Sequence, residues 1–315
     1  MLHKRHLCTV LFLVALVLVG CRAKRDAPGL AYESPENVQI ILTGASGPMQ
    51  ASLWVDGVHH DYGNAILRGL SADDDTVYVV GASGILNRGT VWRNHVPERV
   101  PGKGAQVTGL WVENGIEYMV GTSGFLDMTT YWADGQLFPL GDNAQAPSMF
   151  AENGKVYLAG TIGGITSAGY WIDGQWSPLK EQEALIADIF VEDGHIYLAG
   201  AYGLAGLAGI WVDDELIPVD DPNAELTHIF VEDGIIYLAG IYGPQNIAAY
   251  WVDGQRFDLT EDTALIFDMF VKDGVVYLAG SHALTGQAAF WIDGQRTDMA
   301  DPKSDVDHIF VIDAK

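Results

Sequence analysis

The stretch 188–220 reads DIFVEDGHIYLAGAYGLAGLAGIWVDDELIPVD, and the fold is decided by how it is parsed. Ile189 to Glu192 is a short apolar-rich run, Asp193-Gly194 a turn pair, and His195 to Gly200 a second run. A glycine-rich stretch follows, then Gly209 to Val212, the acidic pair Asp213-Asp214, and Leu216 to Val219. Short runs rich in Ile, Val, Tyr and Trp between turn residues are strands. Asp-Gly supplies the positive φ that both centres of a type I′ hairpin turn require. The stretch is therefore a four-stranded antiparallel unit.

Outward from it, the same unit recurs along the chain. Tyr-Leu-Ala-Gly stands at 157–160, 197–200, 237–240 and 277–280, with looser copies ending at Gly44, Gly81 and Gly121. A tryptophan follows each time, at Trp54, Trp92, Trp132, Trp171, Trp211, Trp251 and Trp291, spaced by 38 to 40 residues. About 40 residues and four strands per period match the blades of a propeller. The first unit begins at its second strand, Val38 to Gly44, whereas the chain finishes on an unpaired first strand, Asp307 to Val311. The surplus strand fits the vacancy and would remove the open edges of the ring. The expectation is an all-β, seven-bladed β-propeller of four-stranded antiparallel blades over residues 38–315, closed by the C-terminal strand joining blade 1.

The repeat resembles that of bacterial propeller proteins carrying a Tyr-x-Ala-Gly … Trp-x-Asp-Gly signature, many of them exported. The resemblance spans residues 38–315 and implies the fold; such families share no single activity. The Gly-His and Trp-Asp pairs of WD40 repeats are missing from their usual places.

Before the repeats, Lys4 and Arg5 precede an apolar run from Leu7 to Gly20, ending at Cys21. A cationic head and a short apolar segment form the signal-peptide pattern. The run is shorter than the roughly 20 residues that a membrane-spanning helix needs. Leu18-Val19-Gly20-Cys21 resembles the lipobox of bacterial lipoproteins, which implies cleavage before Cys21 and acyl chains on its thiol and amine. Residues 1–20 then read as signal peptide, and 21–37 as lipidated cysteine and flexible tether. The resemblance implies a bacterial cell-envelope lipoprotein, periplasmic or surface-exposed, that meets the membrane through lipid on Cys21. Cys8 would leave with the signal peptide, so the mature chain would have no disulfide.

Lys and Arg number 17 against 41 Asp and Glu, a net charge of −24. So acidic a surface repels phosphate backbones and argues against a nucleic-acid partner. Alternating strand direction puts the Asp-Gly turns on one face of the ring. The crossovers and the loops from second to third strand share the other face. Those loops vary: Ser46-Gly-Pro-Met-Gln, Ser83-Gly-Ile-Leu-Asn-Arg, Ser123-Gly-Phe-Leu-Asp-Met, Tyr202-Gly-Leu-Ala, Tyr242-Gly-Pro-Gln-Asn and His282-Ala-Leu-Thr. Variable loops on a rigid scaffold are where binding usually resides, here of a protein or small-molecule ligand; drift in loops under no constraint accounts for the variation as well.

One repeat column carries chemistry. The residues opening the innermost strands are Gly69, Gly109, Ser148, Asp188, His228, Asp268 and His308. Ring closure would bring Asp188, His228, Asp268 and His308 onto four neighbouring blades, as an arc at the channel mouth. Mixed carboxylate and imidazole groups suit a divalent metal or acid–base work; a solvated channel entrance accounts for them as well. No other cofactor is expected. His59-His60-Asp61 reads as surface, Asp73-Asp74-Asp75 as a solvated turn, and the seven tryptophans as blade packing. No nucleophile elbow or phosphate loop is present, so the sequence leans away from an enzyme. It reads as a binding or scaffold module, similar in plan to envelope propeller lipoproteins that scaffold outer-membrane assembly. The alternative is a metal-dependent binder or enzyme using the arc, and a third reading is a largely structural surface protein with no dedicated ligand.

Overall fold

Both centres of the hairpin turns adopt the left-handed conformation that the sequence demands, with φ of 52° at Asp193 and 81° at Gly194. The computed structural model describes residues 37–46, 50–163, 167–181, 183–221, 223–259 and 264–314. These residues form seven four-stranded antiparallel sheets. Strands β1 (Val38–Ser46), β2 (Ala51–Val55) and β3 (Val58–Gly63) belong to blade 1. Blade 2 holds β4 (Ala65–Asp73), β5 (Thr76–Ser83), β6 (Arg88–Arg93) and β7 (Val96–Arg99). Blade 3 holds β8 (Gln106–Glu113), β9 (Ile116–Ser123), β10 (Met128–Ala133) and β11 (Gln136–Pro139). Blade 4 holds β12 (Ala144–Glu152), β13 (Lys155–Ile162), β14 (Ala168–Ile172) and β15 (Gln175–Pro178). Blade 5 holds β16 (Leu185–Glu192), β17 (His195–Tyr202), β18 (Leu207–Val212) and β19 (Glu215–Pro218). Blade 6 holds β20 (Glu225–Glu232), β21 (Ile235–Tyr242), β22 (Ile247–Val252) and β23 (Gln255–Asp258). Blade 7 holds β24 (Ala264–Lys272), β25 (Val275–His282), β26 (Ala288–Ile292) and β27 (Gln295–Asp298). The last strand, β28 (Ser304–Asp313), pairs antiparallel with β1, from Val38 opposite Asp313 to Ser46 opposite Ser304.

This is the expected closed seven-bladed propeller. The strands β4, β8, β12, β16, β20, β24 and β28 touch in succession around the axis, and β28 touches both β24 and β4. The first described strand begins at Val38, and residues 1–36, with Cys21, lie outside the described residues.

Two repeat motifs have a direct mechanical reading. Each innermost strand carries a β-bulge, for example between Ile186 and Asp188. The bulge drives a backbone carbonyl against the glycine that ends the Tyr-x-Ala-Gly motif. A Cβ on Gly200 would lie 2.0 Å from the Leu185 carbonyl oxygen, and the six equivalent glycines meet the same obstacle at 1.8–2.0 Å. No side chain fits there. The aspartate of the Trp-x-Asp-Gly motif ties the other hairpin down. Its Oδ1 accepts the N–H of the second residue of the second strand, as Asp173 does from Val156 at 2.9 Å; Asp213, in the variant Trp-Val-Asp-Asp, does the same from Ile196 at 3.0 Å. The preceding tryptophans fill the blade interfaces, none more than 5% exposed. Some also anchor the crossovers: Trp211 donates to Glu181 at 2.9 Å and Trp251 to Asp221 at 3.1 Å.

Gly200→Ala should therefore cost about 2–3 kcal/mol through forced separation of β16 and β17. Thermal unfolding should show it as a clear drop in midpoint, larger than that of Ala201→Gly one residue along.

Candidate functional site

The innermost strands have one edge without a strand partner, and that edge lines the channel. Unpaired N–H groups on an edge need acceptors. Side chains of the preceding blade supply them. Asp188 accepts from Ile229 of the next blade at 3.0 Å through Oδ2 and from Ile189 at 2.9 Å through Oδ1. Asp268 repeats the pattern with Ile309 at 3.0 Å and Met269 at 2.9 Å. Ser148 accepts from Ile189 at 3.2 Å and donates its hydroxyl to Asp188, while Ser71 accepts from Val112 at 3.1 Å.

The four residues of the predicted arc thus lie on blades 5, 6, 7 and 1, as ring closure requires. Their position along the strand differs from the expectation. They do not open the innermost strands; Asp188 and His228 are the fourth residues of β16 and β20, and Asp268 and His308 the fifth of β24 and β28. The strands start earlier because pairing continues on the far side of the bulge. The arc sits about 10 Å in from the strand ends. The glycines across from it lie against side chains of the second strands of their own blades. A Cβ on Gly69 would stand 2.9 Å from Val80 Cγ2, and one on Gly109 2.9 Å from Val120 Cγ1.

Charge within the arc is coupled. Burial pushes the Asp188 carboxyl upward, against the opposing pull of His228, the Ser148 hydroxyl and the two N–H donors. His228 Nδ1 lies 2.9 Å from Thr227 Oγ1. At His308 burial disfavours the imidazolium, but Asp268, 3.6 Å away, and Asp307 override it and raise the pKa. Burial also raises the Asp307 carboxyl, with His308 opposing. Among the described residues, no group of three or more His, Cys, Asp or Glu side chains is arranged to hold a metal ion.

Two residues further along each innermost strand stands a feature that the sequence reading missed. Trp111, Phe150, Phe190, Phe230, Phe270 and Phe310 form a collar around the axis. Successive ring centroids are 4.3–5.2 Å apart, and Trp111 reaches across the Ser71 position to Phe310 at 6.2 Å. Their spacing of 39 or 40 residues was the available signal. Beyond the collar, on the Asp-Gly face, a cavity of about 550 Å³ is bordered by Glu113, Glu152, Glu192 and Glu232. These glutamates also staple neighbouring blades: Glu192 accepts from Asp233 and Gly234, both at 2.8 Å.

His59, His60 and Asp61 lie on β3 as part of a blade junction. His60 stacks on His95 of blade 2 at 4.4 Å, and His59 Nε2 lies 2.9 Å from Ser52 Oγ. Burial, with His95 and His59 nearby, lowers the His60 pKa. The Asp73-Asp74-Asp75 turn is stapled too, since Asp73 accepts the Gly115 N–H. Of the variable loops, residues 47–49 lie outside the described residues.

No family model and no curated protein matches the chain. Solved structures do. The β-propeller domain of the Trilobed protease from Pyrococcus furiosus is similar over 83% of this chain and 91% of that one, with TM-score 0.58 and 14% identity. That domain has an open velcro topology, whereas here β28 completes blade 1. Pyrococcus horikoshii acylaminoacyl peptidase matches over 84% of this chain with TM-score 0.58 and 13% identity, the match spanning half the peptidase's length. The WD40 propeller domain of Doa1 matches over 83% of this chain and 96% of that one, with TM-score 0.50 and 12% identity. At such identities the shared property is the fold.

The raised pKa of His308 links the seam between blades 7 and 1 to pH. Its contribution is complete below the ordinary value of about 6.5 and is lost as pH rises through the raised one. Wild type should exceed His308→Gln in stability at pH 5.5, by on the order of 1 kcal/mol. Calorimetry should show that gap narrowing by pH 8.5.

Proposed function

We propose that this protein is a lipid-anchored propeller of the bacterial cell envelope that acts as a binding or scaffold module for a protein or small ligand. The observation that carries the reading is the contrast between its two faces. Stapled hairpins recur on the Asp-Gly face, whereas loops of differing residues stand on the other. A rigid frame with one diversified face is the plan of a recognition surface. Anchoring is supported by the sequence alone, through the cationic head, the short apolar run and Leu18-Val19-Gly20-Cys21.

Palmitate labelling of cells should mark the wild-type chain and leave Cys21→Ser unlabelled; equal labelling would remove the anchor. A photocrosslinker at Gln245, in the loop between β21 and β22, should capture a discrete partner. The same probe at Asn114, on the Asp-Gly face, should capture none.

A second reading draws on the coupling of Asp268 with His308 and of Asp188 with His228. Both oxygens of each aspartate already accept N–H groups, so the imidazoles are the freest donors for a divalent metal. Protein purified without chelator should contain metal that a His228→Ala/His308→Ala variant lacks. Equal content in the two would remove this reading.

A further inference from the structure

The loop joining β5 to β6 is a tight turn. Asn87 N–H donates to Gly84 O at 3.0 Å, with φ of 76° at Gly84 and 44° at Asn87. Its two central residues, Ile85 and Leu86, are 103% and 70% exposed. The loop joining β9 to β10 repeats the pattern with φ of 87° at Gly124 and 51° at Asp127, and holds Phe125 and Leu126 at 91% and 79%. Four large apolar side chains therefore project from the loop tips of adjacent blades. Leu204 and Leu284, 92% and 81% exposed, are tips on the same face at blades 5 and 7.

The charge around the first two tips is opposite to that of the molecule. Of the twelve Lys and Arg residues after position 37, five fall within 68–103, and residues 76–97 and 99–112 contain no Asp or Glu. The crossover from blade 2 to blade 3 runs between the tips. Arg99, at the end of β7, donates to Arg88 O at 3.1 Å and to Thr90 Oγ1 at 2.8 Å, and Gly124 N–H donates to Lys103 O of the crossover at 2.8 Å. Arg88, Arg99 and Lys103 are exposed and form no ion pair among the described residues. Asp127 is the one nearby carboxylate in these loops.

We propose that this corner of blades 2 and 3 docks on a bilayer containing anionic phospholipid. Ile85, Leu86, Phe125 and Leu126 would enter the interface, with Arg88, Arg99 and Lys103 at the level of the phosphates. Side chains projecting singly from separate turns suit a fluid apolar medium that closes round each of them; a protein partner would need a separate pocket for each. Basic groups behind apolar tips are the pattern of an interfacial segment. The remaining surface is strongly acidic and is repelled by the same membrane, which restricts approach to this corner. The proposal is independent of acylation at Cys21.

Among the described residues all strands and the closing seam lie within 38–313, so the test uses residues 37–315. Flotation should show binding to vesicles of phosphatidylcholine with about one third phosphatidylglycerol, and about tenfold less to phosphatidylcholine alone. A Phe125→Ser/Leu126→Ser variant and an Arg88→Glu/Lys103→Glu variant should each lose about tenfold while keeping the wild-type unfolding midpoint. Undiminished binding by either variant overturns the proposal. No wild-type binding to either vesicle also overturns it, and leaves a protein as the occupant of the corner. Palmitate labelling at Cys21 is unaffected by any of these results.

Discussion

Seven strand edges face the channel, and their unpaired N–H groups must be accepted by something. Much of the molecule follows from that constraint. A lone sheet edge pairs with other chains or stays wet. In a narrow ring, neither outcome serves for the innermost strand. The acceptor comes instead from the blade before: Asp188 for Ile229, Asp268 for Ile309, Ser148 for Ile189, and glutamates such as Glu232 for the hairpin turn of Asp273. Each bond joins residues about one repeat apart, so it is at once the satisfaction of an edge and the attachment of one blade to the next. Acidic side chains suit the task because an ionised carboxylate accepts and never competes as a donor. Part of the chain's large negative charge is thus structural.

The ring tolerates exchange of apolar for ionic contacts when both partners change together. Between blades 5 and 6, Val212 and Ile236 hold the positions that Arg93 and Glu117 hold between blades 2 and 3. Arg93 engages Glu117 through two nitrogens, one at 2.8 Å, and Glu98 as well. Glu117 is 8% exposed, so removal of Arg93 would leave a buried carboxylate uncompensated, which costs more than either intact pairing. The same principle applies to the hairpins. Asn94-His95 replaces Asp-Gly with φ of 43° and 72°, and the His95 ring spends its awkward position on a stack with His60.

The blades were legible because their signals are local. A turn pair, a strand of β-branched and aromatic residues, and a fixed period reach the fold without knowledge of any contact. Closure was legible too, since Asp307 to Val311 is a strand with no unit of its own. What was missed requires knowing which edge faces inward. The column of Asp188 and His228 appeared to open its strand because the bulge interrupts the alternation that marks a strand's beginning. The collar was hidden for a related reason: Phe190 and Phe230 look like ordinary strand apolars until the curvature of the ring turns them towards one axis. The glycine of Tyr-x-Ala-Gly was visible as a repeat, but its cause, a carbonyl 2.0 Å from the missing Cβ of Gly200, is a contact between strands.

The division of labour between the faces follows from where the constraint falls. Edge N–H groups, bulges and hairpin turns claim the residues of the innermost strands and the Asp-Gly face, and any change there must be matched by the next blade. The loops from second to third strand meet no such demand. At Gly84 and Gly124 a short turn closes the chain, and the two residues at its tip touch almost nothing. Apolar side chains in that setting gain little for the fold: Phe125 at 91% exposure buries little area and invites association. Packing within the ring therefore does not account for their presence on turns flanked by Arg88 and Lys103.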